Sequence, residues 1–274
     1  MRYANRFRVE PDARVKLSKL DPGFTDQHEN KAAAKTELAA QAARLRELQY
    51  LLYSENKRSV LICLQAPDAG GKDGTIRHVL GAMNPQGTRV HGFKQPSHEE
   101  ASHDFLWRAH QQAPSTGEVV IFNRSHYEDV LAVRVHKLVP KHVWSKRYEL
   151  INDFERNLHE HGTVILKFFL HISPEEQLVR FKQRLDDKAR WWKISESDYS
   201  ERELWPAYGE AYQELLAKTS TKHAPWYVIP ANHKWFRNLA ISQIVVDALE
   251  SLAMALPEPT VDIAEIRRRY HDVR

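Results

Sequence analysis

Asp68 and Lys72 place a carboxylate and a cation four residues apart inside one glycine-rich turn, the stretch QAPDAGGKDGT at residues 65–75. An apolar run (60–64) precedes the turn and a helical pattern follows it. That layout suits phosphate. Backbone N–H groups of such a turn surround phosphate oxygens, the next helix adds its positive end, and a lysine reaches the outer phosphates. Ala69, Gly70, Gly71, Asp73, Gly74 and Thr75 complete the candidate loop. The match to G-x-x-x-x-G-K-[ST] is partial, because Ala66 stands at the first glycine and Asp73 at the Ser/Thr that would ligate magnesium. A carboxylate inside a phosphate cradle repels its ligand unless a cation lies between them, and carboxylates are good magnesium ligands. Asp68 therefore reads as the metal contact that the missing Ser/Thr no longer supplies, with Thr75 supporting the turn. The alternative for Asp68 is an Asx turn that closes the loop.

A second segment, NRSHYEDV at residues 123–130, follows the apolar run 119–122. In a sheet built around a phosphate loop, the end of this run faces the phosphates, and an Asp is expected there. Asn123 takes that place, Arg124 sets a fork of donors beside it, and Glu128 and Asp129 follow within a helical turn. Alone, the string would serve as a helix cap. A third segment, residues 179–202, carries Arg180, Arg184, Lys188 and Lys193 among Trp191, Trp192 and Tyr199. Arg180 and Arg184 share a helical face, as expected of a lid that brings arginines over transferring phosphates. The plain alternative is a solvated charged helix with tryptophan beneath it.

These segments need elements to hold them. Apolar runs at 60–64, 88–93, 119–122, 164–170 and 226–229 read as buried parallel strands. Helical patterns cover 26–57, 71–83, 99–112, 143–161, 175–185, 201–218 and 235–254. Strands alternating with helices imply an α/β fold with a parallel sheet covered on both faces. Residues 1–25 read as an irregular arm, and the basic tail IRRRYHDVR as a solvated terminal helix.

Composition narrows the classes. The single cysteine, Cys63, excludes a disulfide framework and a cysteine zinc site, and reads as a buried small hydrophobe. The histidines fall in no ligand pattern. No apolar run has the length of a membrane span and the N-terminus carries no signal-peptide core, so a cytoplasmic protein is expected, with no membrane partner. A net charge of +4 suits an anionic partner without demanding one.

Together, DAGGKDGT, FNRSHYEDV and RFKQRLDDKARWWKIS, with FKQPSHEE and DFLWR between them, resemble the family-2 polyphosphate kinases over roughly residues 30–255. The resemblance implies a P-loop kinase fold similar to thymidylate kinase: a five-stranded parallel sheet between helices, with an N-terminal helical extension and a lid. It divides the chain into an arm and helix (1–58), a kinase domain (59–256, lid about 180–202) and a tail (257–274). It implies reversible, Mg2+-dependent transfer of a terminal phosphoryl group between inorganic polyphosphate and a nucleotide, with Mn2+ a substitute for the metal, and a homo-oligomer. In the family's pattern Asp68 and Lys72 are the Walker A metal and phosphate residues, Arg124 is the Walker B arginine, and Arg180, Arg184, Lys188 and Lys193 are lid cations. NRSHYED, with Asn123 and Glu128, resembles the class III subgroup, which accepts AMP as well as ADP, with ATP the product from ADP.

The expected reaction is direct in-line attack without a covalent intermediate. Asp68 with Glu128, or Asp129, would hold magnesium; Lys94 and Arg134 would hold acceptor or chain. Two rivals rank below this reading: chiefly a P-loop kinase using ATP as donor, and then a basic nucleic-acid-binding protein whose binding falls with salt, although no nucleic-acid partner is expected. A GTPase is disfavoured, since no N-K-x-D segment is present.

Overall fold

Five strands pair in parallel in the order β2-β3-β1-β4-β5: β1 (Ser59–Gln65), β2 (Thr88–Gly92), β3 (Val119–Asn123), β4 (Thr163–His171) and β5 (Trp226–Pro230). The computed structural model describes residues 2–271, the side chain of Leu80 excepted; the last three residues of the basic tail lie outside them. Each expected strand is present within two residues of its expected ends. The pleat of β1 divides the core. Val60, Ile62 and Leu64 face one apolar layer, and Leu61 and Cys63 face the other. The first layer is closed by the helices Lys35–Glu55 and Lys234–Glu250, the second by Arg147–Glu160 and Trp205–Thr219. Parallel order places every strand's C-terminal end at one rim. The turns after β1 and β3, which carry the candidate chemistry, therefore meet there.

Several helices differ from expectation, each for a local reason. The first begins at Lys35 rather than 26, because the Asn30 side chain accepts from Ala32 N (2.9 Å) and Ala33 N (3.1 Å) and diverts the backbone into a turn. The stretch 99–112 is two short helices, His98–Ser102 and Trp107–His110. The Asp104 carboxylate accepts from Leu106 N and restarts the chain. The stretch 201–218 opens as a 3-10 turn before Trp205–Thr219, with Pro206 in the first turn of that helix.

The N-terminal arm is irregular from residue 9 onward, apart from a 3-10 turn at Leu17–Lys19, but its first residues are not. Arg2–Phe7 is a helix, and Tyr3 and Phe7 pack edge-on against Phe236 at ring separations of 5.5 and 6.1 Å. Val9 N then donates to Trp226 O (2.8 Å), and Arg8 bridges Tyr227, so the arm covers the open edge of β5. The aromatic spacing Tyr3, Phe7 and Phe24 was the available signal.

Tyr3 is fully buried, yet its hydroxyl finds no hydrogen-bond partner among the described residues. Tyr3→Ala is expected to cost about 3–5 kcal/mol, as buried aromatic truncations do. Tyr3→Phe should be neutral or slightly stabilising, since it removes only the unpaired polar atom. Urea denaturation of both variants checks this; an equal loss in the two would show that the hydroxyl has a partner.

Candidate active site

The loop after β1 is held from behind. Arg180, on the helix Pro174–Leu185, donates from Nη1 to the carbonyls of Ala69 (2.9 Å) and Gly70 (3.0 Å). Its Nη2 donates to Ala231 O and Asn232 O, and its Nε to Glu176 Oε1 (2.7 Å). All five N–H groups are thus committed within the protein. This corrects the expectation that Arg180 is a lid cation over the phosphates: it is a clamp on the loop backbone. Because a peptide unit is planar and trans, the N–H of Gly71 points opposite the Gly70 carbonyl, away from Arg180. Gln177 Nε2 adds a bond to Asp68 O (2.8 Å). Ala69 (φ 59°) and Arg124 (φ 61°) both take the left-handed conformation that non-glycine residues avoid, as constrained functional turns do. The helix Lys72–Val79 starts directly after the loop, and Thr75 supports the junction by donating to Gly71 O.

The charged groups converge at this rim. Lys72 Nζ donates to Ala66 O (3.1 Å), and burial lowers its pKa. Arg124 Nη2 lies 3.1 Å from Asp68 Oδ1. Glu128 is half-buried beside Lys72, Arg124 and Asp68, and desolvation raises its pKa above the usual carboxylate value. The Gln65 amide, with its NH2 turned to Glu128 Oε1 (3.1 Å) and its oxygen to Ser125 N (3.2 Å), ties that carboxylate to the end of β1.

Asp73 acts through neighbours rather than on phosphate. It accepts from Asn123 Nδ2 (3.0 Å) and pairs with Lys193 Nζ (3.1 Å), so one carboxylate joins the loop helix to β3 and to the segment after the helix Pro174–Leu185. This explains Asn123 where an Asp was expected: a second carboxylate would face Asp73, whereas an amide donates to it. Arg184 also holds the segment after its helix, donating to Lys193 O (2.8 Å) with Asp198 3.8 Å away. Lys188 is exposed beside the Trp191 ring, and Lys94 is exposed at the end of β2.

Two further expectations are corrected. Asp129 is buried between Arg108 Nη2 (3.3 Å) and Arg147 Nη1 (3.1 Å), so its carboxylate is spent on structural ion pairs and does not reach acceptor or metal. Arg134 pairs with Glu214 (2.6 Å) and stacks over Trp144, so it is not available to hold a nucleotide or chain. Three residues that sequence reasoning missed anchor the NRSHYED turn. Tyr127 donates to Glu155 Oε1 (2.7 Å), and Lys167 Nζ reaches Glu155 Oε2 (2.5 Å), Tyr127 Oη (2.8 Å) and Thr219 O (2.6 Å), all fully buried. The signal was Lys167 in the middle of the apolar run that forms β4, since a buried lysine requires a partner. The other missed residue, Arg237, lies behind the loop.

A cavity of about 740 Å³ opens beside these groups. One wall is Asp68, Arg124 and Glu128; another is Trp205, Tyr208 and Tyr212; the N-terminal arm closes a third with Leu17, Leu20 and Pro22. The volume is in the range that holds a small-molecule ligand, and one charged end with an apolar body suits a nucleotide. Among the described residues no cluster of three or more His, Cys, Asp or Glu is placed to hold a metal ion. Asp68 and Glu128 are nevertheless two hard oxygen donors on one wall, and Mg2+ is commonly held by one or two carboxylates with substrate phosphates supplying the rest.

The family model of polyphosphate kinase 2 (PPK2) matches residues 28–256. An AMP/ADP-polyphosphate phosphotransferase of Meiothermus ruber is 54% identical over 255 residues, covering 93% of this chain and 96% of that protein. An ADP-polyphosphate phosphotransferase of Rhodopseudomonas palustris is 44% identical over 267 residues, with 93% and 92% coverage. The crystal structure of polyphosphate kinase 2 from Arthrobacter aurescens superposes with a TM-score of 0.93 at 45% identity, covering 97% of this chain and 95% of that one.

The raised pKa of Glu128 has a consequence for stability. A carboxyl whose folded pKa lies above its ordinary 4.5 contributes stability that is full below that value and lost as pH rises through the raised one. Glu128→Gln removes the titration, so it should be more stable than wild type at about pH 7, with the advantage shrinking toward about pH 4. Urea midpoints at the two pH values measure this, and a pH-independent difference would contradict it.

Proposed function

The chain belongs to the polyphosphate kinase 2 family, and from that premise we propose that it transfers the terminal phosphoryl group of inorganic polyphosphate to ADP and to AMP, reversibly, forming ATP and ADP. The observation that carries this reading is the junction of two sites at one rim. The phosphate loop, with Lys72, abuts the charged wall of a nucleotide-sized cavity through the Asp68–Arg124 pair. The relatives' names, which mention AMP and ADP in one case and ADP in the other, agree with that acceptor range.

In this reading the loop N–H groups and Lys72 hold the end of the polyphosphate, and the cavity holds the nucleotide with its terminal phosphate against Arg124. An oxygen of that phosphate attacks the end phosphorus of the chain in line. The new P–O bond forms as the bridging P–O bond breaks, and the polyphosphate leaves one unit shorter. Alignment and charge neutralisation are most of what such a loose transition state requires. Asp68 and Glu128 would hold Mg2+, which neutralises phosphate charge when bound. Lys193, fixed by Asp73, and Arg184 keep the lid segment over the loop and exclude water. Glu128 has a further role for AMP: its carboxylate would hold a cation or ordered water where the acceptor has one phosphate fewer.

Incubation with Mg2+ and long-chain polyphosphate, separately with AMP and ADP, tests the reading by ion-exchange chromatography of the nucleotides. ADP and ATP are expected from AMP, and ATP from ADP. Lys72→Met should lower kcat about 10²–10³-fold, as loss of one charge-stabilising donor does, and Asp68→Ala should abolish turnover. Glu128→Asn should lose AMP and keep ADP as acceptor. Consumption of ATP with some other acceptor, and no turnover with polyphosphate, would contradict the proposal.

A further inference from the structure

Arg237 lies on the helix Lys234–Glu250, flanked by the core residues Phe236, Leu239 and Ala240. The residue is 2% exposed. Buried arginines are ordinarily matched by a carboxylate. Here the only protein acceptor it reaches among the described residues is the Asn238 amide oxygen, from Nε (3.1 Å) and Nη2 (2.8 Å). No carboxylate of the described residues pairs with it, and the charge beside it is a second cation, Arg180, whose own donors are all engaged. Burial and that neighbour lower its pKa to about 9, so it remains charged near neutral pH.

The placement of this cation is specific. A Cβ added to Gly71 would stand 1.9 Å from Arg237 Nη1, and one added to Gly74 would stand 3.1 Å from Nη2. Gly71 also has φ 107°, a conformation that favours glycine, so both its backbone and its contact with Arg237 require the residue found there. The guanidinium is therefore seated against the back of the phosphate loop and the first turn of its helix. Nη1, the nitrogen nearest the loop, has no hydrogen-bond partner among the described residues.

We propose that Arg237 is a positioning residue for the donor chain, an unpaired charge one glycine behind the phosphate loop that the bound polyphosphate balances. The inference rests on reading the loop as the donor site. The free protein then bears the cost of a buried, uncompensated cation, and donor binding relieves it. Nucleotide binding in the cavity on the other side of Asp68 should be indifferent to it.

The test uses the full-length protein, thermal melts, titration calorimetry with polyphosphate of one defined length, and steady-state kinetics. Arg237→Met removes the charge and keeps much of the length. Without ligand it should melt higher than wild type by about 2–4 °C. Its affinity for polyphosphate should fall about tenfold or more, with a matching rise in KM for polyphosphate and none in KM for ADP. Arg237→Lys should restore most of the affinity. Arg237→Gln, which keeps a donor for Asn238 and drops only the charge, should give the same split and decides the matter if the Met variant fails to fold. Variants that melt lower than wild type and bind polyphosphate equally well would show a packing residue and overturn the inference alone. A wild-type protein that binds no polyphosphate would overturn the donor-site reading, and this inference with it.

Discussion

Turning a peptide carbonyl outward turns the opposite N–H inward, and here one guanidinium holds the Gly70 carbonyl so that the Gly71 N–H faces away from it, while the Gly70 N–H closes the turn on Pro67 O (2.9 Å). Arg180 gathers the carbonyls of Ala69 and Gly70 from the end of β1, and those of Ala231 and Asn232 from the end of β5, onto a single rigid fork. A lysine could not make five fixed bonds from one point. The phosphate loop is therefore shaped before any ligand arrives, and the helix carrying Arg180 is locked to the same rim. From that helix the chain runs directly into the segment that carries Lys188 and Lys193, so that segment and the loop share one anchor. The other site charges are set against this frame.

Those charges are arranged as a relay of shared carboxylates. Asp68 meets Arg124, Asp73 meets both Asn123 and Lys193, and Glu128 sits among Lys72, Arg124 and Asp68 at a raised pKa. Exposed pairs of this kind contribute little to stability, and a desolvated carboxylate opposes it. Their arrangement makes sense as preorganisation for a polyanion, in which the fold tolerates poorly neutralised charge near the site. Stability comes from elsewhere, from the two apolar layers around β1, while the fully buried Lys167–Glu155–Tyr127 network fixes the turn bearing Arg124 and Glu128.

Much of this was legible in the chain. Four of the five strands read as buried, largely apolar runs, the edge strand β2 (TRVHG) being the mixed one, and the loop and the NRSHYED turn are contiguous strings whose chemistry is local. Residues whose roles depend on distant partners were not legible. Arg180 and Arg184 share a helical face, yet one ends under the loop and the other in the lid, which spacing alone does not distinguish. Asp129 and Arg134 resemble site residues by position and were claimed by Arg108, Arg147 and Glu214 from other elements. Helix starts failed where Asn30 and Asp104 offered the backbone a competing acceptor. Arg237 was missed because an arginine near the start of a largely apolar helix has meaning only once Gly71 is seen against it.

Hydrogen exchange over residues 65–75, with and without polyphosphate, in wild type and in Arg180→Lys, tests the central claim most directly. If the clamp holds the loop amides inward, wild type should show slow exchange that polyphosphate slows further, and the lysine variant should exchange faster and lose most of the ligand's protection while the strands stay unchanged. Equal protection of the loop in both proteins, with and without polyphosphate, would show that the loop keeps its shape without Arg180 and would contradict the account.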